Sequence, residues 1–153
     1  MELRSLPFGV MKLPQMLPPE DSGIDPNAGF ELAFEEACGD WLRASPHAPV
    51  IAAGMVGSRQ GWSEAPYLSV PIEVDRIGST LSTVRARGGQ MVHIVPGLIE
   101  NSALPNVMRG EETQVIGALS MLDFGNAPSE ILIGLPGSHS KWVQVRRLSL
   151  IHI

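Results

Sequence analysis

Residues 49–62 read PVIAAGMVGSRQGW. The first eight form a continuous apolar run that closes on glycines, the pattern of a central strand buried on both faces. Residues 57–62 then form the loop at its C-terminal end. Upstream, Asp25-Pro26-Asn27 reads as an N-cap followed by a first-turn proline, and Phe30, Ala33, Phe34, Ala37 and Trp41 recur at helical spacing. That helix should stop near Ser45-Pro46, because a proline disfavours helical geometry in the residue before it. Earlier still, residues 3–8 and 10–13 could add a strand, which Pro7 and Pro14 restrict to an edge.

Downstream, Ile77, Leu81 and Val84 suggest a short helix, and MVHIVPG supplies a second buried strand over residues 91–96. From Glu111, the spacing of Val115, Ile116, Leu119 and Leu122 gives a helix whose first turn carries two acids, the end where the helix dipole favours negative charge. EILIGL, residues 130–135, reads as a third buried strand, and the alternation over residues 141–147 pairs with it as a hairpin. Strands alternating with helices predict an α/β fold with helices packed on a mainly parallel sheet. Ligands of such sheets sit at the C-terminal strand edges. Three segments gather there: GSRQGW, residues 97–112, and PGSHSKW at 136–142.

Of the 153 residues, 44% are hydrophobic and 18% charged, which places the chain among ordinary globular domains and predicts one core. The net charge is −5 and Lys and Arg form no cluster, so there is no electrostatic footprint for nucleic acid or an anionic membrane. Cys38 is the single cysteine, which excludes an internal disulfide and fits a reducing compartment, the cytoplasm. Prolines and acids interrupt the first twenty residues where a signal peptide needs an apolar run, and no stretch reaches membrane-spanning length. The chain therefore reads as soluble and unexported.

Three segments carry candidate chemistry. In PGSHSKW, Gly137, Ser138, His139, Ser140 and Lys141 could offer backbone N–H groups, hydroxyls and an ammonium to a phosphate, although a polar hairpin turn is the plainer account. His139 has no second ligand at metal spacing, so no metal site is expected; His93, within an apolar strand, reads as a hydrogen-bonded core residue. Arg109-Gly110-Glu111-Glu112-Thr113 puts an arginine and two carboxylates at a helix start, as a general base or as acids that complement the dipole. The loop from Gly54 to Trp62 lets backbone approach a ligand closely, and Arg59 offers a planar fork for a carboxylate. Trp62 and Tyr67 can bracket a sugar or cover the sheet edge. Cys38 reads as a small buried residue.

Read together, AGMVGSRQGWSEAPYLSVP (53–71), VPGL (95–98), NVMRGEETQVIGAL (106–119) and LPGSHSKWVQV (135–145) resemble the 2-dehydro-3-deoxygalactonokinase family, in order and separation. The resemblance implies the sugar kinase, hexokinase, actin and Hsp70-like superfamily, with two ribonuclease H-like α/β domains closing over ATP, Mg²⁺ and a sugar acid. It implies a first domain over 1–128 that lacks its N-terminal hairpin, the opening hairpin of a second over 129–148, and a non-native tail at 149–153. By position, Glu111 or Glu112 becomes the base that takes the proton of the attacking hydroxyl. Gly57, Ser58, Arg59, Trp62, Tyr67 and Arg109 become the sugar-acid site, and residues 137–141 the phosphate loop. A non-catalytic sugar-acid sensor of the same fold, or a kinase for another sugar acid, is the alternative, and either is small-molecule binding without nucleic acid or membrane.

Overall fold

Helix α1, Ala28–Ala44, places Phe30 and Leu42 inward and ends where Ser45 caps back to the Trp41 carbonyl, one residue before Pro46. It lies in a computed structural model that describes residues 2–13, 27–122, 128–137 and 139–152; Asp25 and Pro26 fall outside these. α1 packs on a three-stranded sheet of β1 (Val50–Ala52), β4 (Ser82–Arg85) and β5 (Met91–Ile94), in the order β1-β5-β4. Phe30, Trp62, Val92 and Ile94 join Leu13 and Ala65 in the core between them.

A second sheet runs β2 (Tyr67–Ser69), β6 (Gly97–Glu100), β7 (Asn106–Met108). A third runs β3 (Ile72–Glu73), β10 (Ser149–His152), β9 (Lys141–Arg146), β8 (Glu130–Leu135). Helix α2 (Val74–Gly78) and helix α3 (Glu111–Ser120) complete the chain. Ile77, Leu98, Met108, Val115, Leu119, Val143, Val145 and Leu150 form one buried cluster across these elements. Strand alternation accounts for β9: Val143 and Val145 are buried while Trp142, between Lys141 and Val143, points out.

Several expectations change. The run at 49–56 is not a central strand: β1 pairs with β5 alone, Ile51 is 66% exposed, and positive φ at Gly54 turns the chain into a 3-10 turn, Met55–Gly57. Val84 lies in strand β4, antiparallel to β5, rather than in a helix with Ile77, because its side chain packs into the α1 core by two-residue alternation. Residues 97–112 are not one loop but hold β6 and β7. The sheets are mixed, not mainly parallel: β1–β5 and β2–β6 are parallel pairs, and β4–β5, β6–β7, β8–β9, β9–β10 and β3–β10 antiparallel ones. Residues 3–8 and 10–13 form no strand; a turn closes from the Lys12 N–H to the Gly9 carbonyl, and the Arg4 guanidinium ties the segment to Asp40 of α1.

Residues 149–152 are not a tail either. Strand β10 pairs with β3 on one side and β9 on the other, and Leu150 is fully buried. Leucine at that site gains the full burial free energy of an aliphatic side chain, roughly 1.5–3 kcal/mol. Because the 130–146 hairpin shares its core with Ile77, Leu98 and Leu119, no packing boundary separates residues 128 and 129.

Candidate active site

Two loops meet at the C-terminal ends of the parallel strands β1 and β5. The first is the turn from Gly54 to Gly61 after β1, knotted by N–H donations from Gly57 to Gly54, Ser58 to Met55 and Gly61 to Ser58. The second is Arg109-Gly110, between β7 and α3. Glycine is required where they touch: Gly110 has φ +115°, and a methyl there would meet the Gly54 α-carbon at 3.1 Å.

Arg109 is fixed on several sides. Its Nε donates to the Tyr67 hydroxyl at 3.2 Å, its Nη2 donates to the Ala65 carbonyl at 2.9 Å, and Cζ lies 4.1 Å from the centre of the Tyr67 ring. Tyr67 in turn lies across Gly97 of β6, where a Cβ would come within 2.6 Å of its ring. Among the described residues no carboxylate forms an ion pair with this guanidinium. Its Nη1 is buried without a partner, as is the hydroxyl of Ser58, a residue 8% exposed.

The two carboxylates differ. Glu111 is half-buried, and its Oε2 accepts the Arg109 N–H at 2.9 Å. Glu112 is fully buried, both of its oxygens accept the Gly110 N–H at 2.7 and 2.8 Å, and the Thr113 hydroxyl donates to the Gly110 carbonyl. Burial pushes the Glu112 carboxyl above its ordinary range, against the lowering effect of those N–H donors and of Arg109. Glu112 therefore fastens the turn that carries Glu111, and Glu111 is the carboxylate open to a ligand.

The structure brings together Gly57, Ser58, Tyr67, Arg109, Glu111 and Glu112. Arg59 is exposed and makes no bond to another described residue. Trp62 is a core residue: it is 6% exposed, its ring stacks on Phe30 at 6.4 Å and tilts on Phe34 at 5.3 Å, and little surface is left for a sugar. The segment 136–141 stands elsewhere. Lys141 Nζ donates to Asn106 Oδ1 at 2.9 Å, and Asn106 is at the opposite end of β7 from Arg109. Gly137, His139 and Ser140 are exposed, the Ser140 hydroxyl donates to the Gly137 carbonyl, and Ser138 lies outside the described residues. His93 is part-buried and its ring makes no hydrogen bond to another described residue, while Cys38 donates its thiol to the Phe34 carbonyl and is held above its ordinary pKa by burial.

Sequence reasoning missed Ala65, whose carbonyl orients Arg109, and Gly97, which seats Tyr67. For Gly97 a signal existed: a glycine opening an apolar strand marks close approach by a neighbour.

Among the described residues no three His, Cys, Asp or Glu side chains gather as metal ligands, and no helix is long and apolar enough to cross a membrane. A 2-dehydro-3-deoxygalactonokinase of Escherichia coli (strain K12) is 46% identical over 71% of this chain and 34% of its own length. "Probable 2-dehydro-3-deoxygalactonokinase DgoK1" of Rhizobium meliloti (strain 1021) is 40% identical over 68% of this chain and 33% of its own. A crystal structure named for a 2-dehydro-3-deoxygalactonokinase protein from Sinorhizobium meliloti superposes with a TM-score of 0.63 at 34% identity, over 74% of this chain and 37% of that one. The chain thus spans about a third of the length of the curated relatives it matches. The family model described as 2-keto-3-deoxy-galactonokinase matches residues 4–152, nearly the whole sequence, and the chain belongs to that family.

Proposed function

We propose that this chain carries the sugar-acid site and the base of an ATP-dependent kinase acting on 2-dehydro-3-deoxy-D-galactonate, within a ribonuclease H-like first domain. The observation that carries the proposal is Glu111: a half-buried carboxylate at a helix start, two residues from an arginine with no anionic partner among the described residues. Phosphoryl transfer asks little covalent chemistry of the protein, chiefly in-line positioning, charge stabilisation and a group that orients the nucleophile. Glu111 is placed to accept the proton of the attacking hydroxyl. Arg109, Tyr67 and Ser58 hold the sugar acid.

ATP and Mg²⁺ fit less well. The donors expected to cradle phosphate are engaged, Lys141 by Asn106 and Ser140 by Gly137, and among the described residues no acid cluster supplies a Mg²⁺ cage. Any Mg²⁺ would arrive on the nucleotide with few protein ligands. The engagement of those donors favours, as a second reading, a sugar-acid binder without turnover. Two measurements decide: calorimetry of the chain with 2-dehydro-3-deoxy-D-galactonate, and a coupled assay of ADP release by the open reading frame that carries these codons. Binding with ADP release supports the kinase, binding without it supports the second reading, and no binding overturns both.

A further inference from the structure

We infer that the carboxylate of the sugar acid is held by Arg109 Nη1 together with the Ser58 hydroxyl, and not by Arg59; the inference rests on the sugar-acid reading of this site. Arg109 Nη1 and Ser58 Oγ are buried side-chain polar atoms without a hydrogen-bond partner, and they belong to the two loops that meet at Gly54 and Gly110. A buried donor left unpaired costs free energy, more so when it bears charge, and folded proteins keep such groups where something else completes them. Here the missing partner is an anion. The guanidinium has no ion-pair partner among the described residues, and the nearby acids are turned to the backbone, Glu111 to the Arg109 N–H and Glu112 to the Gly110 N–H. A methyl built on Gly57 would stand 3.1 Å from Nη1, so glycine is what lets the guanidinium pack this closely on the loop that carries Ser58.

Arg109 is also preorganised where Arg59 is not. Tyr67 and Ala65 already fix its Nε and Nη2, and its flat face rests on the Tyr67 ring, so holding a carboxylate costs little further side-chain entropy. Arg59, exposed and unbonded, would lose solvent and rotamer freedom to do the same. One carboxylate oxygen accepts from Nη1 and the other from the Ser58 O–H.

The test is a titration of the 153-residue chain with 2-dehydro-3-deoxy-D-galactonate, following the arginine Nε–H signals by NMR and the affinity by calorimetry. On saturation the Arg109 signal should move and the Arg59 signal stay. Affinity should fall about tenfold or more in Arg109→Lys and several-fold in Ser58→Ala, and stay within about twofold in Arg59→Lys. Should Arg109→Lys fail to fold, the parent's NMR shifts and the Ser58 variant still decide. Binding in which the Arg59 signal moves and the Arg109 signal does not overturns the inference and leaves the sugar-acid reading intact. No binding up to about 10 mM overturns that reading itself.

Discussion

Gly110 and Gly54 touch backbone to backbone, both at positive φ, and that contact joins the loop bearing Ser58 to the turn bearing Glu111. Alanine at Gly54 should cost about 1–3 kcal/mol from its backbone conformation alone, since the nearest atom to its methyl is 3.8 Å away. Alanine at Gly110 should cost more, because its methyl meets the Gly54 α-carbon at 3.1 Å. Urea unfolding of the two variants checks the order, and equal losses would mean that the contact has room to relax.

Glu112 should leave a signature in stability against pH. Burial holds its folded pKa above the ordinary 4.5, so the unfolded chain ionises first as pH rises. Its contribution is fully present below about 4.5 and is lost as pH climbs through the folded value. Asp40, lowered to about 2 mainly by the Arg4 hydrogen bond, has the opposite sign: its contribution is present above 3.8 and is lost as pH falls toward 2. Denaturation midpoints measured from about pH 4 to 7 should decline in the parent and flatten in Glu112→Gln. A slope that survives the substitution would assign it to another group.

In an active kinase carrying these residues, Glu111→Gln should lower kcat by orders of magnitude with a smaller effect on KM, as expected for a group that acts on the attacking hydroxyl. Glu112→Gln should reduce kcat less, because it works through the Gly110 turn. A loss of less than about tenfold in Glu111→Gln would remove it from the role of base.

The two cores predict different costs for similar side chains. Trp62→Ala should destabilise the chain by about 3–5 kcal/mol, as for a large aromatic cut from a packed core, while Trp142→Ala, at a residue 62% exposed, should cost much less. Leu150→Ala should cost about 2–5 kcal/mol if β10 is part of the fold; a loss near zero would restore residues 149–153 to a tail.

What could be read from the sequence was local. Helical spacing gave α1 and α3, and two-residue alternation gave β9, whereas β8, which reads as a buried apolar strand, lies at a sheet edge with Leu132 65% exposed. Long-range pairing was hidden: Val50–Ala52 is apolar like a central strand yet lies at an edge, and Ser149–His152 finds partners 76 or more residues away in β3 (149 − 73 = 76). The site divided along the same line. Glycines and acids flagged Gly57, Glu111 and Glu112 by type, but Arg109 and Arg59 look alike in sequence and differ only once Tyr67 and Ala65 surround one of them. Trp62 was misread because an aromatic beside a glycine loop serves a core as readily as a sugar, and Phe30 and Phe34 decided between the two.

The 153-residue polypeptide by itself should neither bind Mg-ATP tightly nor phosphorylate the sugar acid. Its candidate phosphate segment is bonded to itself and to Asn106, at the end of β7 away from Arg109 and Glu111, so base and phosphate donors do not converge. In-line transfer requires the reacting atoms within a few ångströms of one another, and an exposed turn alone offers too few contacts to hold a nucleotide. Calorimetry with Mg-ATP should give no micromolar affinity, and a coupled assay with 2-dehydro-3-deoxy-D-galactonate no steady ADP release. Lys141→Ala should then leave sugar-acid affinity within about twofold, because Lys141 bonds to Asn106 and to no residue of that site. Micromolar ATP binding that Lys141→Ala abolishes would show that the loop swings to the base, and the separation seen here would be one state of a mobile hairpin.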